Sequence, residues 1–360
     1  MANTQDCYSL HRSALAPLLP NAPAGVLLQS CEHAVASGEA DYINFLRQQG
    51  LAPLWDKQIA SFDGSLPFSQ KAVGRLHDSR LRATGNYLLQ HHSLQLVRNI
   101  LDEANVPHVI TKGSHTRELY YDTPALRPAV DIDILIEPTD KITAIKAFQA
   151  REFNFHGAVE NIAQDCSLIK GETAIDLHWD ILRPGRTRKP MVNALLASRV
   201  DYGSHWGMSH GATLFLMLVH PVFRKYSTTP HASLVRLVDL AQLLHRHPES
   251  VDETVPLLHM AGLATAGWIT LTWLHLLTGD RQAKSLGARL KPGNLRRKYL
   301  HNWLATNRST KLLQRPLWIH LGFTLPAHDK LTDSMRAVRE ARRCKQDADA
   351  TLAAMQKQVS

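Results

Sequence analysis

The sequence predicts an α+β protein: a small mixed sheet within residues 105–182, with helices before it and an all-helical region after it. Three observations predict this. Short β-branched segments, at 106–111 and 130–136, gather in one part of the chain. On either side apolar residues recur at helical spacing, as in Leu94, Val97 and Leu101. Within 105–182 helices and glycine turns are interleaved with the strands, the order that gives a mixed rather than a purely hairpin topology.

The composition agrees. A chain of 360 residues with 44% hydrophobic and 20% charged residues is a folded globular protein long enough for two or three domains. The expected division is a helical region at 1–104, the α/β core at 105–182, a helical domain at 183–280 and a basic helical extension at 281–360. Residues 1–6 are polar and 15–19 are short and proline-interrupted, so no secretory leader is expected. The apolar runs 214–219 and 261–277 fall short of a bilayer span and predict buried helices. Four cysteines scattered without a C-x-x-C spacing argue for reduced thiols in the cytoplasm and against a cysteine zinc site. Between 281 and 345 there are 16 Lys or Arg against 3 Asp or Glu, more excess charge than the whole chain's +9. That segment is therefore expected to attract RNA or an acidic partner.

Taken in order, residues 1–24, with three prolines, predict an irregular lead-in. Residues 25–49 suit two short helices, the second capped by Asp41. A helix begins near residue 51, a loop follows at 62–67, and a long helix covers 69–104, with Gly85 a point of interruption. A strand at 106–111 leads into a Gly113-Ser114 turn, then a helix at 115–121 and a loop at 122–128. A strand at 130–136 precedes a helix from Pro138 to about residue 152 and a turn at 153–157. A hairpin of 166–170 and 174–179 turns at Gly171-Glu172. Residues 183–190 are basic and expected to be exposed. Beyond them helices are expected at 213–223, 233–247, 251–262, 264–277, 295–306 and 311–323, followed by a charged tail at 333–359. The tryptophans at 268, 273, 303 and 318 are expected to pack between them.

The chemistry gathers around Lys112-Gly113-Ser114, Arg127 and Asp131-Ile132-Asp133. On a strand alternate residues share a face, so Asp131 and Asp133 point together while Ile132 and Ile134 enter a core. Adjacent carboxylates repel unless a cation lies between them. Mg²⁺ meets that need, taking one or two carboxylates and completing its shell with water and phosphate oxygens. A glycine-serine turn at a helix start offers amides and a hydroxyl to phosphates. Asp176, in a strand-like Ile-Asp-Leu frame, is the candidate third carboxylate that a phosphoryl-transfer site requires. Asp180 is a weaker candidate.

In these residues the sequence resembles the nucleotidyltransferase superfamily typified by DNA polymerase beta, and within it a bacterial group of uncharacterised nucleotidyltransferases. The likeness covers roughly residues 70–280. It rests on Lys112-Gly113-Ser114, Leu119-Tyr120-Tyr121, Arg127 to Leu135, Ile175-Asp176-Leu177-His178-Trp179, Leu216 to His220 and Leu234 to Ala241. The interval between Gly-Ser and Asp-x-Asp is longer than in the superfamily's compact members, and the loop at 122–128 accounts for it. The resemblance implies a mixed sheet, a nucleoside triphosphate bound with Mg²⁺ (Mn²⁺ as the alternative), and transfer of a nucleotidyl group with release of pyrophosphate. It implies that Gly113 and Ser114 hold triphosphate oxygens, that Asp131 and Asp133 hold metal, and that Asp176 completes the metal site and helps deprotonate an acceptor. Lys112 and Arg127 are expected to neutralise phosphate charge.

Several residues have simpler readings. His178 is a candidate orienting group behind the metal or a packed strand residue. Arg236 and Asp239, spaced i, i+3, are either an ordinary helix pair or cleft residues, and His220 shares that choice. His91-His92 and His245-x-His247 lack a third ligand. Arg296-Arg297-Lys298 reads as a solvated face. Two other functions stay open at this point: a catalytically inactive nucleotide sensor, and a partner-docking protein on the same fold.

Overall fold

The computed structural model describes residues 7–23, 25–156 and 165–340. Among them five helices precede the first strand: α1 (Ser9–Leu15), α2 (Val26–Ala36), α3 (Glu39–Gln48), α4 (Ala52–Ala60) and α5 (Gln70–Glu103). α1 replaces the irregular lead-in expected there. Its Ala14 and Leu15 bury completely, and Tyr8 ties it down by donating its hydroxyl to the Leu304 carbonyl at 2.6 Å. α3 begins behind Gly38, so Asp41 lies in its first turn rather than at its cap. α5 is capped by Ser69, whose hydroxyl accepts from the Ala72 amide at 3.2 Å. It passes through Gly85 unbroken. A glycine there costs about 1 kcal/mol of helix propensity, which the burial of Leu94, Val97, Ile100 and Leu101 outweighs.

The sheet follows: β1 (His108–Thr111), α6 (Lys112–Tyr120), β2 (Ile132–Ile136), α7 (Lys141–Gln149), β3 (Asn154–His156), β4 (Asp165–Lys170) and β5 (Thr173–His178). Two differences matter. Gly113 and Ser114 lie inside the first turn of α6, not in a turn ahead of it. Residues 154–156, expected as a turn, form an edge strand on β4. After α8 (Val192–Ala197) come two strands where only helices were expected, β6 (Arg199–Asp201) and β7 (Trp206–Met208). Each has three residues, too short for a period-2 pattern to register. The sheet order is β3-β4-β5-β2-β1-β7-β6, with β2–β5 and β1–β7 parallel and the other pairs antiparallel. The expected mixed α+β architecture is what the chain adopts.

Alternation divides the sheet's faces. Ile132, Ile134 and Ile136 pack with Ile175, Leu177, α5 and α7 in one core. Leu135 and Val109 join a second, larger core that draws on residues from Tyr8 to Ala327. Asp133, Asp176 and His178 alternate with the first set and so belong to the second face.

The chain continues as α9 (His210–Arg224), α10 (Val235–Arg246), α11 (Ser250–Ala261), α12 (Ala264–Thr278), α13 (Arg281–Leu290) and α14 (Asn294–Ala305), whose buried leucines belong to that larger core. The expected 311–323 helix is broken. Pro316 can start a helix but not continue one, so the segment divides into α15 (Arg308–Lys311), α16 (Pro316–Ile319) and a wider turn at His320–Thr324. Trp268, Trp273 and Trp303 are buried as expected, whereas Trp318 is 59% exposed. The 183–190 loop is less exposed than expected, with Arg186 buried and Arg188 paired with Asp333. The tail beyond residue 340 lies outside the described residues. No described helix is long and apolar enough to cross a membrane.

Candidate active site

The site grows from the register of two parallel strands. β2 and β5 pair with Asp133 opposite Asp176 and Leu135 opposite His178. Asp131 stands in the bend just before β2. Its approach is fixed from two sides. Ser114 donates its hydroxyl to the Asp131 carbonyl at 2.8 Å, and Gln90 of α5 donates to the carbonyls of Ala129 at 3.1 Å and Val130 at 2.9 Å. The Asp131 carboxyl reaches that of Asp176. Asp133 and Asp176 therefore stand side by side, and Asp131, just before β2, interacts with both.

Their electrostatics differ. Burial, then the charges of Asp133 and Asp176, push Asp131 up to about 6, against the opposing pull of Lys112. Burial would push Asp133 up as well, but the Lys112 ammonium and the His178 imidazole hold it well below the usual carboxylate range. Lys112 Nζ is hydrogen-bonded to Asp133 Oδ1 and lies 3.0 Å from His178 Nε2. His178 Nε2 in turn lies 2.9 Å from Asp133 Oδ1, and its Nδ1 is 3.3 Å from Asp165 Oδ2. Burial and Lys112 would depress His178, yet the two carboxylates raise it above its ordinary value. Asp133, Asp176 and His178 each offer a ligand atom within 4.8 Å of the others. His178 thus joins the metal-capable group rather than only standing behind it.

The remaining sequence candidates occupy other places. Ser114 is fully buried, with its hydroxyl engaged on the Asp131 carbonyl. Gly113 is a glycine because Arg127 lies against it. A Cβ there would stand 2.3 Å from Arg127 Nη1. Arg127 itself is engaged through all three of its nitrogens. Its Nη2 donates to Asp239 Oδ2 at 2.6 Å, its Nε reaches both Asp239 oxygens at 3.2 Å, and its Nη1 donates to the Pro128 carbonyl at 2.7 Å. Tyr121 donates to Asp239 as well, at 2.7 Å. Asp239 therefore answers Arg127 across the fold, not Arg236 one turn away. Arg236 instead meets His220 Nδ1 at 2.9 Å.

A cleft of about 520 Å³ opens between the sheet edge and the helices. Lys112, Gly113, Arg127, Asp131 and Asp133 line one wall; Leu216, Met217, His220 and Lys225 of the α9 side, with Val235, Arg236 and Asp239 of α10, line the other. Ser114, Asp176 and His178 are outside that lining. Three residues escaped the sequence reading: Asp165, which pairs with His178 and with Arg224 at 3.0 Å; Ser167, which donates to Asp176 at 2.5 Å; and Lys225. The first two were within reach. A hairpin turning at Gly171-Glu172 pairs Lys170 with Thr173, and counting back sets Ser167 opposite Asp176 and Asp165 opposite His178. Lys225 carries no such signal.

A family model described as an uncharacterised nucleotidyltransferase matches residues 37–279, about two thirds of the chain. No curated protein matches the sequence.

Proposed function

Since the chain belongs to that family of uncharacterised nucleotidyltransferases, we propose that it moves a nucleoside monophosphate from a nucleoside triphosphate to an acceptor hydroxyl and releases pyrophosphate. The observation that carries this reading is the meeting of Asp131, Asp133 and Asp176 beside a cleft of about 520 Å³, a volume that suits a nucleotide-sized ligand.

The donor set fits a divalent cation. Asp133, Asp176 and His178 offer ligand atoms within 4.8 Å of one another with Asp131 beside them, and the raised Asp131 is the strain that a doubly charged ion would relieve. Mg²⁺ is the expected ion and Mn²⁺, which accepts nitrogen more readily, the alternative. Once bound, such an ion offsets charge on the phosphate oxygens and lines up attacking and leaving groups. Asp131 and Asp133 would hold it on the cleft side. Asp176, oriented by Ser167, would complete the ligand set and accept the acceptor's hydroxyl proton. The freed oxygen bonds to the α-phosphorus as the bond to the bridging β-phosphate oxygen breaks. His178, set between Asp133 and Asp165, keeps the Asp133 carboxylate in place.

The acceptor is RNA, a protein or a small hydroxyl compound, and the basic residues beyond 281 favour a polyanion. Wild type incubated with ATP, GTP, CTP or UTP, Mg²⁺ or Mn²⁺, and fractions of each acceptor class should release pyrophosphate in at least one combination. The Asp131→Asn/Asp133→Asn variant should lose that release by on the order of 10²–10³-fold. Equal release from the two proteins would sink the proposal. One observation favours a second reading, a nucleotide sensor or docking protein without catalysis: Lys112 already places a cation on Asp133. Nucleotide binding with no pyrophosphate from any combination selects that reading.

A further inference from the structure

A triphosphate needs cations that are not already engaged, and the two cleft walls differ sharply in what they supply. On the sheet wall Lys112 is taken by Asp133 and His178. Arg127 is paired with Asp239 and held by the Pro128 carbonyl. The Ser114 hydroxyl is buried on the Asp131 carbonyl. On the opposite wall Asp239 is taken up by Arg127, and two cations make no ion pair among the described residues. Lys225, half-buried after the end of α9, makes no side-chain hydrogen bond or ion pair among the described residues. Arg236 of α10 makes a single one, from Nη1 to His220 Nδ1. A guanidinium only donates, so that contact makes His220 Nδ1 the acceptor. Burial keeps the His220 ring neutral, and its proton is therefore on Nε2, a further donor on the same wall. Burial first, and then neighbouring cations, also lower both Lys225 and Arg236, against the pull of Asp131 on each and of Asp133 and Asp239 on Arg236.

We propose that Lys225 and Arg236, with His220 beside them, clamp the β- and γ-phosphates of the donor from the helical wall, across the cleft from the carboxylates. The clamp rests on the transfer reading for its ligand, but polyphosphate is recognised here by charge and hydrogen bonds alone, whatever the base. The Gly113-Ser114 turn then serves to shape the sheet wall, Gly113 by admitting Arg127 and Ser114 by holding Asp131.

Inorganic tripolyphosphate is the probe, since it carries no base. Its binding to the full chain is measured by calorimetry at several salt concentrations. Wild type should bind, with affinity that falls as salt rises. Lys225→Met and Arg236→Met should each bind about tenfold or more weakly, the loss of one charge-assisted hydrogen bond, with a shallower salt dependence. Arg236→Lys, which keeps the charge but not the fork, should fall between. Thermal melting of each variant checks folding, and Arg236→Lys serves if Arg236→Met does not fold. Wild-type affinity in Lys225→Met and Arg236→Lys overturns the clamp, as does a wild type that binds no polyphosphate. If the variants lose tripolyphosphate while wild type turns over no nucleotide, the clamp stands and the transfer reading falls. If wild type turns over nucleotide and the variants do so equally, the clamp alone falls.

Discussion

The two walls of the cleft are built on opposite electrostatic plans. The cations of the sheet wall are answered: Lys112 by Asp133 and Arg127 by Asp239, which reaches it from α10, while Asp131 leans on Asp176. Its one uncompensated stress is the crowding of carboxylates. On the helical wall the carboxylate of Asp239 is spent on Arg127, and Lys225 and Arg236 line the cleft with no ion pair among the described residues. A wall with surplus negative charge asks for a cation, and a wall with surplus positive charge asks for an anion. A metal-bound polyphosphate supplies both, which is why the pairing within each wall says more about function than the presence of any one residue.

The comparison breaks most severely if the pair that joins the two walls is lost. The Arg127–Asp239 pair is buried on both sides, at 9% and 3% side-chain exposure, and it joins the loop before β2 to α10. Removing one partner of such a pair strands a buried charge and costs about 3–5 kcal/mol. Arg127→Met should lower unfolding stability by that amount in urea titration. It should also weaken tripolyphosphate binding, because Asp239, a cleft residue, would then present a bare negative charge beside Arg236. A variant with wild-type stability would show that the walls are not coupled through this pair.

A smaller effect separates the carboxylates from one another. Asp131 titrates near 6, pushed up chiefly by burial, whereas Asp133 stays ionised far into acid. The folded form of Asp131 thus holds its proton more tightly than the unfolded chain does. Its contribution to stability is present in acid and is lost as pH rises through about 6. Asp133 has the opposite sign, stabilising above the ordinary carboxylate range and failing only at very low pH. For metal the order is simple, since an ion must displace the Asp131 proton. Mn²⁺ affinity, read by electron paramagnetic resonance of free Mn²⁺, should fall by up to about tenfold per pH unit below 6 and level off above it. Asp131→Asn should flatten that slope. An unchanged slope in the variant would assign the titration to another group.

The sheet wall was largely legible from sequence because its residues lie within short, patterned segments. Asp131 and Asp133 sit two apart in a β-branched run, and Ile175-Asp176-Leu177 repeats that frame, so alternation puts Asp133 and Asp176 on one face, with Asp131 in the bend just before β2. Partner identities were harder to read. Arg236 and Asp239 look like a helix pair, yet Asp239 is answered by Arg127, 112 residues away in the chain. Local spacing has no information about a contact made by packing two segments together. Lys225 is the extreme case: a lone lysine after an apolar helix is unremarkable until the helix is laid against the sheet. The missed strands β6 and β7 failed for a different reason, since three residues carry too little periodicity to stand out. Their place beside β1 comes from tertiary pairing.

The smallest effect is the sharpest test of how the labour is divided between the walls. The resemblance assigned Ser114 to phosphate, while its surroundings assign it to the Asp131 carbonyl, 2.8 Å away with no exposure to solvent. Those two roles predict opposite outcomes for Ser114→Ala. A structural hydroxyl should cost about 1 kcal/mol of stability when removed, leaving a buried carbonyl without its donor, and tripolyphosphate affinity should stay at the wild-type value. A phosphate ligand should do the reverse, leaving stability nearly unchanged and weakening tripolyphosphate. The helical wall, not the turn, then carries the phosphates only if the first pattern is the one measured, and a loss of affinity at full stability would return them to the start of α6.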